Sequence, residues 1–508
     1  MNIFYILFCA TALFLSVGGI YGNPTKETIN ADVWNKGPFE FAQRARFAMT
    51  YSLVEEGRLD LSSPMAKFGL PDIGYNNGKY ISLFAPGTSF ITTPGYALGK
   101  NFGASQVGTY FVIALFALFN TALIRLISEK LGASSLAATI ASLIFLFATP
   151  AFSYSVNLYQ HHISLFLILF SIYLLATTES AAGLLVVWFL YGLAIFVDYP
   201  NALLMLPIIF YSTAKMTEKK FEESSLKIRL LFSKALTALG LVLPLLLLLW
   251  FNKNLLGSPF QLTGTVQDVV GVAQDGSPIL HIETKDVEEQ LKESQLAINK
   301  SALGFFKTRN LINGLYTHLV SPDRGIIYFA PVVLFGFLGF SELRKKRNAE
   351  FSLLVSIVGV NLLLYSMWGD PWGGWSFGSR YLIPTYAMMS IFAALGIGAI
   401  RKKTFLAFLF GLVLVFSVAV NTLGAITASG NPPISEVKYL ESQSGRVEKY
   451  TFERNWEFLF NRGSKSFVYN EFASKYMTAF EYYLFITGAI ISVLSVPMLY
   501  LFLSKREK

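Results

Sequence analysis

The sequence predicts an all-α polytopic membrane protein, and three observations lead there. The chain has 508 residues, 53% of them hydrophobic and only 14% charged, a composition outside the range of soluble globular domains. Apolar runs long enough to cross a hydrocarbon core, roughly 17 to 25 residues each, recur along it. The basic clusters at Lys215–Arg229, Glu342–Glu350, Arg401–Lys403 and Ser504–Lys508 lie in short loops between those runs or at the end of the chain, as cytoplasmic segments do under the positive-inside rule. That distribution also accounts for the formal net charge of +9 without a nucleic-acid partner. A β-barrel is excluded, because a run such as Leu236–Trp250 is apolar all round rather than alternating.

Taken in order, the first run, 3–21, is read as an uncleaved helix, since no basic residue precedes it and its end is a loose match to a cleavage site. Further spans are predicted at 106–126, 133–150, 160–177, 183–197, 200–214, 231–252, 326–341, 351–368, 383–400, 404–426 and 479–503. The total of about twelve places every basic loop and both termini on the cytoplasmic side of the cell membrane. The long loops then face outward: 22–105, 253–325, a Trp/Gly loop at 368–382, and 427–477. The organisation expected is a transmembrane core over 1–426, followed by a late outer loop and a last helix over 427–508. Within the loops, Phe41–Leu61 and Asp286–Phe306 have the apolar spacing of amphipathic helices on a membrane surface. Thr263–Thr284 is polar and glycine-punctuated, as in irregular or short-stranded segments. The single cysteine, Cys9, forms no internal disulfide.

No phosphate-binding glycine loop, zinc-type cluster or serine-hydrolase elbow is present. Polar residues near the outer ends of the spans are the candidates instead, since burying them costs several kcal/mol unless they bind something. Asp72 and Lys79 flank the turn-rich GYNNG, where a carboxylate can act as general base and an ammonium can face a phosphate; the alternative is a solvated loop. His161 and His162 open a span, and their side chains diverge by about 100°, so one of the two is expected to face the bundle interior. Asp198 stands before a proline-started helix, where N-capping is the competing role. Arg324 sits at a helix start that disfavours cations, so either a bound anion or Asp323 offsets it. In the Trp/Gly loop, Arg380 offers bidentate contacts to phosphate and Trp372 and Trp375 offer ring faces. Glycines there serve a loop that folds back to a ligand, which an interfacial tryptophan belt does not need.

These segments together resemble the C superfamily of membrane glycosyltransferases, the fold of protein mannosyltransferases and aminoarabinose transferases. The matching stretches are RFAMTYSLVEEG (Arg46–Gly57), GKYISLFAPGTS (Gly78–Ser89), the His162 mouth, Asp198 before Tyr199 and Pro200, NLLGSP (Asn254–Pro259), Ser321–Pro331, and WGGWSFGSRYL (Trp372–Leu382). The resemblance implies inverting transfer of a sugar from a polyprenyl-phosphate donor to an extracytoplasmic acceptor, with a first-loop carboxylate as base. Relatives carry an acidic residue right after the first helix, where this chain reads NPTKETINADVWNKGPFEF. The base is therefore ranked Asp72, then Asp32, then Glu40. Arg46, Lys79, Arg324 and Arg380 are the expected phosphate contacts, with Tyr80, Trp372 and Trp375 lining the groove and His162 and Asp198 beside it. No cofactor is expected, and a divalent metal stays open because metal use varies across the superfamily. The competing function is a transporter or flippase for a lipid-linked saccharide, against which the outer placement of the polar residues argues.

Overall fold

A computed structural model of the chain describes residues 3–35, 37, 41–222, 225–280, 302–401 and 403–503. Helices form over the apolar runs, where the backbone's polar groups have no partners but each other. The first part contains α1 (Ile3–Ser16), α2 (Phe41–Tyr51), the hairpin β1 (Ile73–Asn76) and β2 (Lys79–Ser82), α3 (Gly87–Lys100) and α4 (Ser105–Lys130). Next come α5 (Ser135–Phe147), α6 (His161–Thr177), α7 (Ala181–Val197) and α8 (Leu206–Lys215). A second hairpin follows, β3 (Thr217–Glu222) with β4 (Ser225–Leu230), in the basic loop. Then come α9 (Val242–Leu256), β5 (Gln267–Val272), β6 (Pro278–Leu280), α10 (Leu311–Leu319) and α11 (Asn348–Ser366). The chain ends with α12 (Ile383–Arg401), α13 (Thr404–Ile426), α14 (Ile434–Ser444), α15 (Glu453–Arg462) and α16 (Ala479–Leu503).

Among the described residues six helical stretches are long and apolar enough to cross a membrane: Ser105–Lys130, Phe232–Leu256, Asn348–Ser366, Arg380–Ile400, Thr404–Ile426 and Ala479–Tyr500. This is a multi-pass membrane architecture, but half of the twelve expected spans are shorter or broken. Four fall on the short apolar helices α1, α5, α6 and α7, and one falls on α8. The expected span 326–341 is not one α-helix: one turn, Ile326–Phe329, gives way at Pro331 to a 3-10 segment, Pro331–Gly339, and then to Phe340–Lys346. Pro331 has no N–H to donate and its ring crowds the preceding turn. The 3-10 segment lies hard against α12, where a Cβ on Gly339 would sit 1.9 Å from the Phe392 carbonyl oxygen.

The described parts of the loops 22–105 and 253–325 hold more regular structure than their composition suggested. α2 has the expected apolar spacing, yet it is enclosed rather than laid on a membrane surface: Ala45, Phe47, Ala48 and Met49 are buried, and so are Gln43, Arg46 and Thr50. The second amphipathic stretch, Asp286–Phe306, lies almost wholly outside the described residues. The first and middle loops share one sheet of order β2-β1-β5-β6, with Gly74 opposite Asp268 and Tyr75 opposite Gln267. Lys79 Nζ fastens the β1–β2 hairpin by donating to the Asn254 carbonyl at 2.9 Å, and Asn76 Nδ2 donates to that of Leu256 at 3.1 Å.

The Trp/Gly loop is held by Arg324, which is fully buried. Its Nε donates to the Trp372 carbonyl (2.9 Å), Nη1 to that of Asp323 (2.7 Å), and Nη2 to those of Gly374 (2.8 Å) and Asn431 (2.9 Å). Gly378 lets the loop turn back: its φ is +58°, and a Cβ there would lie 2.8 Å from Pro150 Cγ and 3.0 Å from Phe329 Cγ. Gly378→Ala should therefore destabilise the protein by about 2 kcal/mol or more. Gly359→Ala, on α11 with nothing within 4 Å of its Cβ, should be neutral or stabilising by up to about 1 kcal/mol. Thermal unfolding of the detergent-solubilised variants checks the contrast.

Candidate functional site

Five separated pieces of chain meet at one buried polar cluster: α2, the residue before β1, the entry to α6, the end of α7, and the close of the Trp/Gly loop. Arg46 is on the enclosed helix α2, with its guanidinium 3.7 Å from the centroid of the Phe84 ring and 5.6 Å from that of Tyr159. It donates to Gln160 Oε1 at 2.7 Å, and Gln160 Nε2 donates on to Asp198 Oδ2 at 3.2 Å. Arg380 approaches the Tyr159 ring as well, at 5.2 Å, and the Tyr381 ring at 5.6 Å. Tyr159 is thus shared by two guanidinium groups, cations that arginine can bring to an aromatic face because it is weakly hydrated.

The surrounding aromatic residues set the geometry. Tyr159 stacks on His161 with centroids 5.9 Å apart, and His161 meets Tyr381 edge-on at 6.5 Å. Tyr381 stacks on Tyr365 at 4.2 Å and meets His318 at 6.3 Å. His318 Nδ1 is 2.8 Å from Ser379 Oγ, next to Arg380 in sequence. Three buried donors or acceptors here, Arg380 Nε, His161 Nε2 and Trp372 Nε1, have no hydrogen-bond partner within the protein. Such groups are costly to leave unpaired, and a polar ligand would satisfy them.

Two carboxyls share this field. Asp72 precedes β1, whose hairpin is pinned by the hydrogen bond from Leu83 N to the Asp72 carbonyl at 3.1 Å. Burial raises the pKa of its carboxyl above the ordinary value, while the charges of Arg46 and Arg380 pull it down and Asp268 pushes it up. Asp198 is pushed up to about 6 by burial, against the lowering effects of the Gln160 hydrogen bond, Arg46 and Arg380. The Arg46 guanidinium is pulled down to about 10, by burial first and then by Arg380. Arg46 and Arg380 thus act on both aspartates in the same direction, each favouring the ionised carboxylate.

Sequence reasoning placed several residues here that the structure sends elsewhere. Arg324 gives its donors to four carbonyls and does not face an open site. The Lys79 ammonium is bound at the Asn254 carbonyl, because the hairpin tip reaches the end of α9. Tyr80 donates to the Gly276 carbonyl at 2.9 Å, so it ties β2 to the β5–β6 turn instead of lining a groove. Trp375 turns to the late segment: its Nε1 donates to Glu436 Oε2 at 2.8 Å, and the Arg454 guanidinium is 5.2 Å from its ring centroid. Of the two histidines, His162 has both ring nitrogens committed, Nε2 at 2.8 Å to the Ala151 carbonyl oxygen and Nδ1 at 3.3 Å to Asn120 Nδ2. Its neighbour His161 is the one in the cluster. Asp32 is exposed at the start of a four-residue helix, Asp32–Asn35, and Glu40 lies outside the described residues. Gln160, Tyr159, Tyr365 and Tyr381 were not singled out, although YQHH and SRYL stand next to residues that were. Among the described residues no three His, Cys, Asp or Glu side chains converge as a metal site.

No protein-family model matches the chain, and no curated protein matches it. Among solved structures, the chain is similar to the archaeal oligosaccharyltransferase AglB from Archaeoglobus fulgidus in complex with an inhibitory peptide and a dolichol-phosphate, at 11% identity over 90% of this chain and 59% of that one, TM-score 0.49. It is similar to apo ArnT from Cupriavidus metallidurans at 12% identity over 97% and 77%, TM-score 0.42. A second Archaeoglobus fulgidus oligosaccharyltransferase structure, in the apo form, is matched at 13% identity over 89% and 61%, TM-score 0.48. The chain thus spans about three fifths of the length of the archaeal proteins.

The raised Asp198 value gives a pH test. Between the ordinary carboxylate value and about 6 the folded chain holds a proton that the unfolded chain has released, so this group's contribution to stability declines as pH rises through that window. Relative to wild type, Asp198→Asn should gain melting temperature between pH 4 and pH 7, because it lacks that declining contribution. Paired thermal unfolding curves at the two pH values check the sign.

Proposed function

We propose that this chain is an integral membrane glycosyltransferase of the C superfamily, moving a sugar from a polyprenyl-phosphate donor to an extracytoplasmic acceptor with inversion. The observation that supports this most is the pair of guanidinium groups, Arg46 and Arg380, lying 5.6 and 5.2 Å from the Tyr159 ring centroid, with Asp72 and Asp198 in the same field. A polyprenyl-phosphate sugar is a phosphodiester with one negative charge. When the acceptor oxygen attacks the anomeric carbon and the bond to the phosphate oxygen breaks, the leaving phosphomonoester gains a second charge. Two arginines fixed beside that oxygen stabilise the transition state more than the bound donor, which is what accelerates the step.

The acceptor must lose a proton as its new bond forms. Asp72 is the base in this reading: burial raises its proton affinity, while Arg46 and Arg380 favour its ionised form. It takes the acceptor proton and releases it to water after the products leave. Asp198 acts through Gln160, which orients the Arg46 guanidinium. Trp372 offers a ring face to the sugar, and Arg380 Nε and Trp372 Nε1 supply donors that the protein itself does not use.

Purified protein, a panel of radiolabelled polyprenyl-phosphate sugars and membrane extract as acceptor test the proposal. Asp72→Asn should lower turnover by about 10²–10⁴-fold while donor binding persists, and Arg380→Ala should weaken donor binding. Full turnover in Asp72→Asn would remove Asp72 as the base. Full activity and donor affinity in Arg380→Ala would overturn the phosphate assignment, and tight donor binding without turnover in the wild type would point to transport.

A further inference from the structure

The late segment carries an aromatic stripe that the chemistry does not use. On α15, Phe452 at the cap and then Trp456 and Phe460 stand four residues apart, so they line one face of the helix. On the flank of the stripe Asn455 and Leu459 are buried and anchor the helix in the protein, and Trp456 meets Tyr483 of α16 edge-on at 5.0 Å. At one end of the stripe Phe452 meets Phe416 of α13 edge-on at 6.2 Å, and Phe416 is 42% exposed on a helix long and apolar enough to cross a membrane. At the other end Phe460 meets Phe480 of α16 at 5.7 Å, and Leu484, one turn further along α16, is 50% exposed. Phe460 itself is 66% exposed. The stripe is therefore continuous at both ends with the outward-facing apolar surfaces of two membrane-spanning helices. Such a surface in water would cost about 25 cal/mol for each Å² left uncovered, and tryptophan and phenylalanine at the ends of spans suit the boundary between headgroups and acyl chains.

We propose that α15 is an interfacial helix whose Phe452, Trp456 and Phe460 stripe is seated in the acyl region of the leaflet on the site's side of the membrane. The lipid surface is the partner, and it presses the late segment against the Trp/Gly loop. Glu436 of α14 accepts from Trp375, and Arg454 of α15 lies over the same indole. This placement depends on packing alone and stands whether or not the chain transfers sugars.

A nitroxide at Phe460→Cys tests it in nanodiscs of phosphatidylcholine and phosphatidylglycerol, with Glu457→Cys on the polar side as the aqueous reference. The native Cys9 is buried and stays unlabelled. The Phe460 label should show a several-fold higher ratio of oxygen to nickel-chelate collisions than the Glu457 label. Phe480→Cys should match the Phe460 label, which covers the case in which the first variant folds poorly. Equal nickel accessibility at 460 and 457 would overturn the proposal, as would protection from both relaxants with dipolar broadening, since a second copy of the chain would then cover the stripe.

Discussion

A guanidinium sealed inside the protein has to find acceptors for its donors, and Arg324 finds them on four backbone carbonyls from three stretches of chain. Losing one partner of a buried charge costs several kcal/mol, so those stretches are locked to one another. Asp323 beside it works in the same way, accepting from Ser321 Oγ and from the Ile434 amide. The Trp/Gly loop between Trp372 and Gly374 is thereby fixed in space, and the loop's last residues deliver Arg380 to Tyr159. The clamp sets the start of that loop, while Asn361, donating to the Tyr381 carbonyl, and His318, beside Ser379, hold its close.

The N-terminal side of the site has a different support. Asp72 stands just before an inner strand of a four-stranded sheet contributed by two loops that are far apart in sequence, and the sheet's hairpin is tied to the end of α9 by Lys79 and Asn76. Two cationic side chains that resembled ligand contacts, Lys79 and Arg324, are thus framework. The two that meet at Tyr159, Arg46 and Arg380, hold their charge beside aspartates. The distinction follows from whether carbonyl oxygens are within reach of the donors, and for Arg324 four are.

That criterion explains what was legible in the sequence. Helix positions were readable because a membrane-spanning backbone has no other way to satisfy itself, and α11, α13 and α16 fall close to where apolar length put them. The break at Pro331 was less so, because an apolar run conceals the loss of one N–H. The pairing of β1 with β5 was not readable, since each strand has its local hairpin partner and the register between the two hairpins is set by contact across about two hundred residues. Of the cluster, Asp72, Asp198 and Arg380 were visible as costly polar groups near helix ends, Trp372 as a ring in the Trp/Gly loop, and Arg46 through the matching stretch RFAMTYSLVEEG. The choice between His161 and His162 was not, because a helical offset of about 100° says that they diverge and does not say which one meets the cluster. Gln160 escaped notice for a related reason: an amide has no charge to draw attention, and its value here lies in bridging a cation and an anion.

The Arg324 clamp also bears on how the protein is made. Its acceptors extend to Asn431, 107 residues beyond it in the chain. A nascent chain that has emerged only as far as α13 therefore holds a guanidinium, and a Trp/Gly loop, with part of their bonding missing. Closure of the clamp therefore waits for the segment after α13 to reach the loop.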